Sequence, residues 1–250
     1  MAIIAVIGGS GLDNPDIISS SRDVTVTTSF GAPSSPLKKG IIGGVNVILL
    51  ARHGREHTIP PTQVNYRANI SALKAEGCTH ILATTAVGSL REEIKRGDLI
   101  IVDQFIDFTK QRKMTFHESF ETNKPVHCAM ADPYDQNIRN LLIEECRSRK
   151  YSFHPMGTVV TIEGPRFSSR AESHMFRSWG ADIINMSIAT ETVLANEAGI
   201  PYAAVAMSTD YDCWRTDEEP VSWEAIAKVF AENAEKVTTL LTGVIPKIHD

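Results

Sequence analysis

The chain has 250 residues, 42% hydrophobic and 22% charged, enough for a folded domain with a sizeable buried core. Its net charge of −5 leaves no basic footprint for nucleic acid. Its cysteines, Cys78, Cys128, Cys146 and Cys213, stand far apart with no C-x-x-C pair, which argues against a zinc knuckle or a disulfide scaffold and makes a reduced, cytoplasmic setting the expectation.

Residues 2–7 form an apolar run stopped by Gly8-Gly9. The run is too short for a signal core or a membrane span and reads as a buried strand feeding a tight turn. Residues 45–51 repeat the pattern and stop at Arg52-His53-Gly54, and a helical period follows over 64–76. Further apolar runs occupy 80–84 and 99–102, a helix is predicted over 136–150, and another run covers 157–162. Then come a helix over 169–179, a strand at 183–186, a helix over 190–198, a strand at 203–207 and a helix over 223–241. Strands alternating with helices predict a mainly parallel, internally buried sheet. There is no internal repeat or low-complexity linker, so residues 1–250 read as one α/β domain, with only a weak seam at 151–155.

Most predicted strands end in small or polar residues: Gly8-Gly9-Ser10-Gly11, Arg52-His53-Gly54, Thr84-Thr85-Ala86, Asn185-Met186-Ser187 and Thr209-Asp210-Tyr211-Asp212. Ligands of open α/β sheets sit outside the carboxyl ends of strands, so these five turns are expected to converge on one pocket.

Each turn carries its own chemistry. In Gly8-Gly9-Ser10-Gly11 the backbone N–H groups and a hydroxyl suit a phosphate oxygen, although the segment is equally read as a plain turn. It is no dinucleotide fingerprint, because Asn14 stands where the last glycine belongs, and no nucleophile elbow, because Leu12 replaces the closing glycine. Arg52 offers a planar fork matched to phosphate, with His53 as a further donor; the alternative is a solvated charged loop. A metal site pairing His53 with His57 is disfavoured by Gly54 and Pro60-Pro61, which interrupt the helix such a motif needs. Thr85 and Ser187 supply strand-end hydroxyls. Phe167 is placed to stack on a flat ligand, Ser168 or Ser169 to cap a helix, and Met186 to cover an apolar sugar face. Asp210 and Asp212 are spaced i, i+2, which in an extended segment puts both carboxyls on one face. One can stay protonated and donate while the other accepts; otherwise they are two solvated acids at a strand end.

Taken together, these segments resemble the 5′-methylthioadenosine phosphorylase family, a branch of the trimeric purine nucleoside phosphorylases. The resemblance covers nearly the whole chain and is dense over 50–65 (LARHGREHTIPPTQVN), 76–107, 161–176 and 206–214. It implies a single domain with a mixed central sheet flanked by helices, a homotrimer, and reversible phosphorolysis of methylthioadenosine without metal or organic cofactor. The matching positions put phosphate against Gly8, Ser10, Arg52, His53, Thr85, Ala86 and Ser187. They put the nucleoside against Phe167, Met186, Thr209, Asp210 and Asp212, with His127 lent to its 5′ end by a neighbouring subunit. Asp210 matches the acid at purine N7, and Asp212 lies beside the 6-amino group. Members that take 6-oxopurines have Glu and Asn where this chain has Ser168 and Asp210, so 6-aminopurines are expected. The chain departs from the usual pattern at three places: Ser10 replaces a threonine, Ser187-Ile188-Ala189-Thr190 replaces Thr-x-x-Pro before Glu191, and Trp223 stands where a small aliphatic is common. Trp223 is therefore expected to shape the 5′ pocket together with Ile226 and Ala227. It also keeps adenosine phosphorolysis as the alternative; a 6-oxopurine phosphorylase, an oxidoreductase on a Rossmann sheet and a silent nucleoside-binding protein fit the residues less well.

Overall fold

Side chains along a strand point alternately to opposite faces, and this chain uses the alternation to hold a helical layer on each side of its sheet. The structure is a computed structural model and describes residues 2–8, 17–217 and 222–249. Its strands are β1 (Ile3–Gly8), β2 (Ser19–Val24), β3 (Leu37–Ile42), β4 (Val45–Ala51), β5 (His80–Ser89), β6 (Leu99–Ile101), β7 (Gln104–Phe108), β8 (Phe153–His154), β9 (Thr158–Ile162), β10 (Ile183–Asn185) and β11 (Tyr202–Asp210). Its α-helices are α1 (Tyr66–Ala75), α2 (Gln136–Ser148), α3 (Arg170–Ser178), α4 (Ile188–Glu197) and α5 (Trp223–Val244).

One sheet runs β2-β3-β4-β1-β5-β10-β9-β7, and it forks at β5, where β11 pairs in parallel and carries β6 and then β8. Ile4, Val6, Leu82, Val205 and Met207 face one way, against Ile138 and Leu142 of α2 and Leu240 and Leu241 of α5. Their neighbours Ala5, Ile7, Ile81, Ala83, Ala204 and Ala206 face the other way, against Ile70 and Leu73 of α1 and Ile188 and Leu194 of α4. Burying each such leucine or isoleucine stabilises the fold by about 1.5–3 kcal/mol. A third cluster packs Phe176 of α3 on Val160, Ile162 and Trp214. No helix among the described residues is long and apolar enough to cross a membrane.

The sheet is mixed, as the resemblance implied, and most of its strand pairs are parallel, as the alternation suggested. β2–β3, β3–β4, β5–β10 and β6–β11 are antiparallel. The β3–β4 return is a two-residue hairpin through Gly43 and Gly44, both at positive φ (56° and 84°), which only glycine adopts readily. β1 and β4 run parallel in register, from Ile3 beside Asn46 to Gly8 beside Ala51, so their carboxyl ends finish together. β5 and β11 do the same, but the register shifts between Ser208 and Asp210 and leaves Thr209 as the extra residue. This bulge is buried, and Thr209 and Asp210 both line the site.

Candidate active site

The carboxyl ends of β4, β5, β9, β10 and β11 surround a cavity of about 800 Å³. Arg52, His53, Thr85, Ala86, Phe167, Ser168, Met186, Ser187, Thr209, Asp210, Asp212 and Trp223 all line it. Four of the five predicted turns therefore meet in one place. Of the fifth, Gly8 is buried beside Ala51, one residue ahead of Arg52, and is not among the lining residues, while Ser10 lies outside the described residues.

Arg52 follows the buried run of β4 and turns inward, where its side chain is 3% exposed. A buried cation needs a partner. Glu191, in the first turn of α4, supplies it: Arg52 Nε and Nη2 both donate to the Glu191 carboxylate, the latter at 2.9 Å, and Nη1 donates to the Thr84 carbonyl at 3.0 Å. Burial is the largest single influence and weakens the guanidinium, but the Glu191 charge and hydrogen bond, with smaller help from Tyr202 and Tyr66, together outweigh it and hold Arg52 protonated. Three of the five guanidinium N–H groups are thus used inside the protein, and one N–H on each terminal nitrogen remains for a ligand. Tyr202 Oη donates to Glu191 at 2.8 Å and fixes the carboxylate from the other side.

His53 behaves differently from the expectation that its ring donates to a ligand. Its Nδ1 lies 2.8 Å from the Ile59 carbonyl, which can only accept, so the ring's proton is there. Burial and the Arg52 charge push its pKa down to about 4, so the ring is neutral at pH 7 and Nε2 is an acceptor. β5 runs past the predicted turn to Ser89; within it the Thr85 hydroxyl donates to the Ala86 carbonyl at 3.0 Å and accepts from Asn185, at the end of β10, at 3.3 Å. Ser187 is the N-cap of α4 and makes no capping bond with its side chain, so hydroxyl and helix N-terminus both serve the cavity wall. A helix N-terminus there favours an anion.

The two acids sit at the end of β11. Asp210 is buried on the strand, whereas Asp212 reaches the cavity through a turn at φ 48°. The i, i+2 pair therefore shares a site because the chain turns back, not because the segment is extended, which corrects the expected geometry. The turn brings the Asp212 N–H to Asp210 Oδ1 at 2.8 Å. Burial raises the pKa of both carboxyls; for Asp212 the Asp210 charge adds to the effect. Ser169, not Ser168, caps α3, in a capping box with Glu172, which leaves Ser168 and Phe167 on the cavity wall. Trp223 opens α5 at the rim, 54% exposed, with its ring 4.9 Å from His57, whose own ring lies 4.6 Å from His53. Below it Ile226, Ala227 and Phe230 make an apolar wall. His127 is exposed, beside Phe120 in a stretch without regular structure, and does not reach this cavity within its own chain.

Sequence reasoning missed the groups that hold the site. Glu191 and Tyr202 are one set; a carboxylate within the apolar α4 was the available signal, since such a charge requires a partner. Arg112 is the other. Its guanidinium donates to Tyr66 Oη (3.1 Å), Thr190 Oγ1 (3.2 Å), the Glu163 carboxylate (3.3 Å) and the Glu163 carbonyl (2.8 Å). Tyr66 in turn donates to the Met186 carbonyl at 3.3 Å, so this network ties the β9–α3 loop to the Met186 turn. Thr190, the residue found in place of the usual proline, is thereby a member of it.

A buried cation and helix N-terminus at one wall and two buried acids at another, at the carboxyl ends of a mixed sheet, define a site for an anion and a polar aromatic group together. The Phosphorylase superfamily model matches residues 3–246. The chain belongs to this superfamily and, within it, to the branch of the S-methyl-5′-thioadenosine phosphorylases. It is 54% identical over 248 residues to the S-methyl-5′-thioadenosine phosphorylase of Xenopus tropicalis and 53% identical over 247 residues to that of Danio rerio. Each match spans 98% of this chain and 88% of the relative. The methylthioadenosine phosphorylase from Schistosoma mansoni in complex with adenine superposes with a TM-score of 0.94 at 40% identity, over 100% of this chain and 93% of that one.

Proposed function

We propose that this protein catalyses the reversible phosphorolysis of S-methyl-5′-thioadenosine to adenine and 5-methylthioribose 1-phosphate. The observation that carries this reading is the burial of Asp210 and Asp212 in the cavity that also holds Arg52. Phosphate binds at Arg52, Thr85, Ala86 and Ser187, with His53 and the Gly8 and Ser10 turn beside it. The two remaining Arg52 N–H groups and the α4 N-terminus favour a dianion there. A phosphate oxygen bonds C1′ while the C1′–N9 bond breaks and its electrons withdraw into the base. The neutral Asp210 carboxyl supplies a proton at N7, and Asp212 accepts from the 6-amino group. The overall balance closes because hydrogen phosphate gives up its own proton on becoming the sugar ester, which restores the acid. Phe167 stacks on the base, Met186 covers the sugar, and the apolar wall at Ile226, Ala227 and Phe230 takes the thioether, with Trp223 at its rim.

Ser168 with Asp210 and Asp212 favours an amine over a 6-oxo group, because the Asp212 carboxylate accepts from an amine and would face the lone pairs of a carbonyl oxygen. Phosphate is the second substrate, and the reaction requires no redox or group-carrying cofactor. In this reading a homotrimer completes each site with His127 of a neighbouring subunit. The four free cysteines support a reducing, cytoplasmic place of action.

The test is adenine release from methylthioadenosine and adenosine, and hypoxanthine release from inosine, with and without phosphate. We expect phosphate-dependent release, fastest from methylthioadenosine, and a loss of kcat on the order of a hundredfold or more in Asp210→Asn. Adenosine as the best substrate would move the specificity, and no phosphate-dependent cleavage of methylthioadenosine would sink the reading.

A further inference from the structure

The hydrogen bonds at the β11 bulge pose a counting problem. Thr209 is 3% exposed, and its single hydroxyl oxygen lies 2.8 Å from Asp210 Oδ2 and 3.2 Å from the Val87 carbonyl oxygen. It has one hydrogen and two oxygen neighbours. The Val87 carbonyl can only accept. Asp210 Oδ1 is already an acceptor, from the Asp212 N–H at 2.8 Å. With Asp210 ionised, the Thr209 hydrogen goes to the carboxylate, and the Val87 carbonyl faces an oxygen lone pair. With Asp210 protonated on Oδ2, the acid donates to Thr209, Thr209 donates to Val87, and every group in the chain is satisfied.

We infer that Thr209 is a positioning residue whose hydroxyl switches from accepting the Asp210 proton to donating to the Asp210 carboxylate as that proton passes to the base. The inference rests on the proposed phosphorolysis for its direction. In the resting acid the run is Asp210 Oδ2–H to Thr209 to Val87. When the carboxyl proton moves to purine N7, rotation about the Thr209 Cβ–Oγ1 bond turns the same hydrogen onto Oδ2, where a negative charge has just formed in a water-poor site. Only the bond to the charged form is charge-assisted and so roughly twice as strong, and the hydroxyl thus helps the transition state more than the resting acid. The bulge makes this possible: the register shift sets Thr209 between the pairs Ser208–Val87 and Asp210–Gly88, with its hydroxyl within reach of both the Val87 carbonyl and Asp210 Oδ2. The other charges facing Asp210 are Asp212, from the same turn, and Arg96, from the β5–β6 connection, and neither is altered by a change at Thr209.

The test pairs Thr209→Val, which keeps the shape and removes the hydroxyl, with Thr209→Ser, which restores it. Thr209→Val is expected to lower kcat on the order of tenfold with little change in KM for methylthioadenosine. Its carboxylate is also harder to form, so the fall of kcat at alkaline pH moves upward by about one pH unit. Thr209→Ser is expected to return both to wild type. A kcat and pH profile unchanged in Thr209→Val, or losses that Thr209→Ser does not repair, would overturn the inference. Infrared difference titration of the Asp210 carboxyl, identified by its loss in Asp210→Asn, reads the same coupling without substrate. Its midpoint must rise in Thr209→Val and return in Thr209→Ser even if the wild-type enzyme fails to cleave methylthioadenosine, a failure that would count against the phosphorolysis reading alone.

Discussion

Arg52 meets its ligand already neutralised by Glu191, and that decides how the anion wall works. Two charges with low exposure, 3% and 1% for the side chains, are held together by two hydrogen bonds, with the Tyr202 hydroxyl as a third donor to the carboxylate. Such a pair adds little net stability, but breaking it leaves a buried charge alone, at a cost of about 3–5 kcal/mol. Glu191→Gln keeps the shape and removes the charge. It is expected to lower the melting temperature strongly in an anion-free buffer and to recover much of the loss in millimolar phosphate, because the oxyanion then supplies the missing countercharge. A phosphate-induced rise in melting temperature no larger in Glu191→Gln than in wild type would refute this account. The acids of the site and Arg52 were legible in the sequence because each follows a buried strand directly, where charge is conspicuous. Their partner was not, since Glu191 lies 139 residues beyond Arg52 and nothing local joins them.

At the level of elements, the site depends on how closely β5 and β11 approach at their ends. Gly88 has no side chain where they meet, and a Cβ there would lie 2.9 Å from Asp210 Oδ1, 3.0 Å from Ile184 Cγ2 and 3.3 Å from Asp212 Cβ. Gly88→Ala must therefore displace the acids or part the strands. Small misplacements of reacting groups cost activity steeply, so kcat/KM for methylthioadenosine is expected to fall on the order of a hundredfold, while stability falls by only about 1–3 kcal/mol. Kinetics beside a thermal melt check this, and a kcat/KM within twofold of wild type would show that the acids have room. The strands carrying the site were readable as apolar runs, and the helices followed from their period. β2 was not, because Ser19–Val24 is polar and exposed and is held by pairing with β3. The Gly43-Gly44 hairpin was a signal left unused, and it explains why β3 returns antiparallel to β4. The extent of β5 and of β11 beyond their apolar cores was also hidden, since the bulge at Thr209 comes from pairing across the sheet and not from local sequence.

On the scale of the molecule, Gly8 backs the cavity through its neighbour Ala51, whereas His127 stands apart from the cavity of its own chain. His127 stands in an exposed stretch with Phe120 and Val126, 48% and 47% exposed, and its ring packs edge-on against Phe120. If the site draws His127 from a neighbour, then the pocket and the histidine belong to different copies, and the two can be separated genetically. Asp210→Asn spoils the acid but still presents His127; His127→Ala keeps the acid but presents nothing to the 5′ end of the nucleoside. Purified alone, the first is expected to turn over poorly and the second to show a raised KM for methylthioadenosine. Co-expressed, a His127→Ala pocket beside an Asp210→Asn neighbour regains every group, so a kinetic component with wild-type KM is expected in the mixed assembly. A histidine acting within its own chain gives no such component at any ratio, because every intact acid is then on a chain without His127. Sedimentation of the wild-type protein settles the stoichiometry independently, and a monomer that keeps the full affinity for methylthioadenosine would leave the cavity complete as it stands.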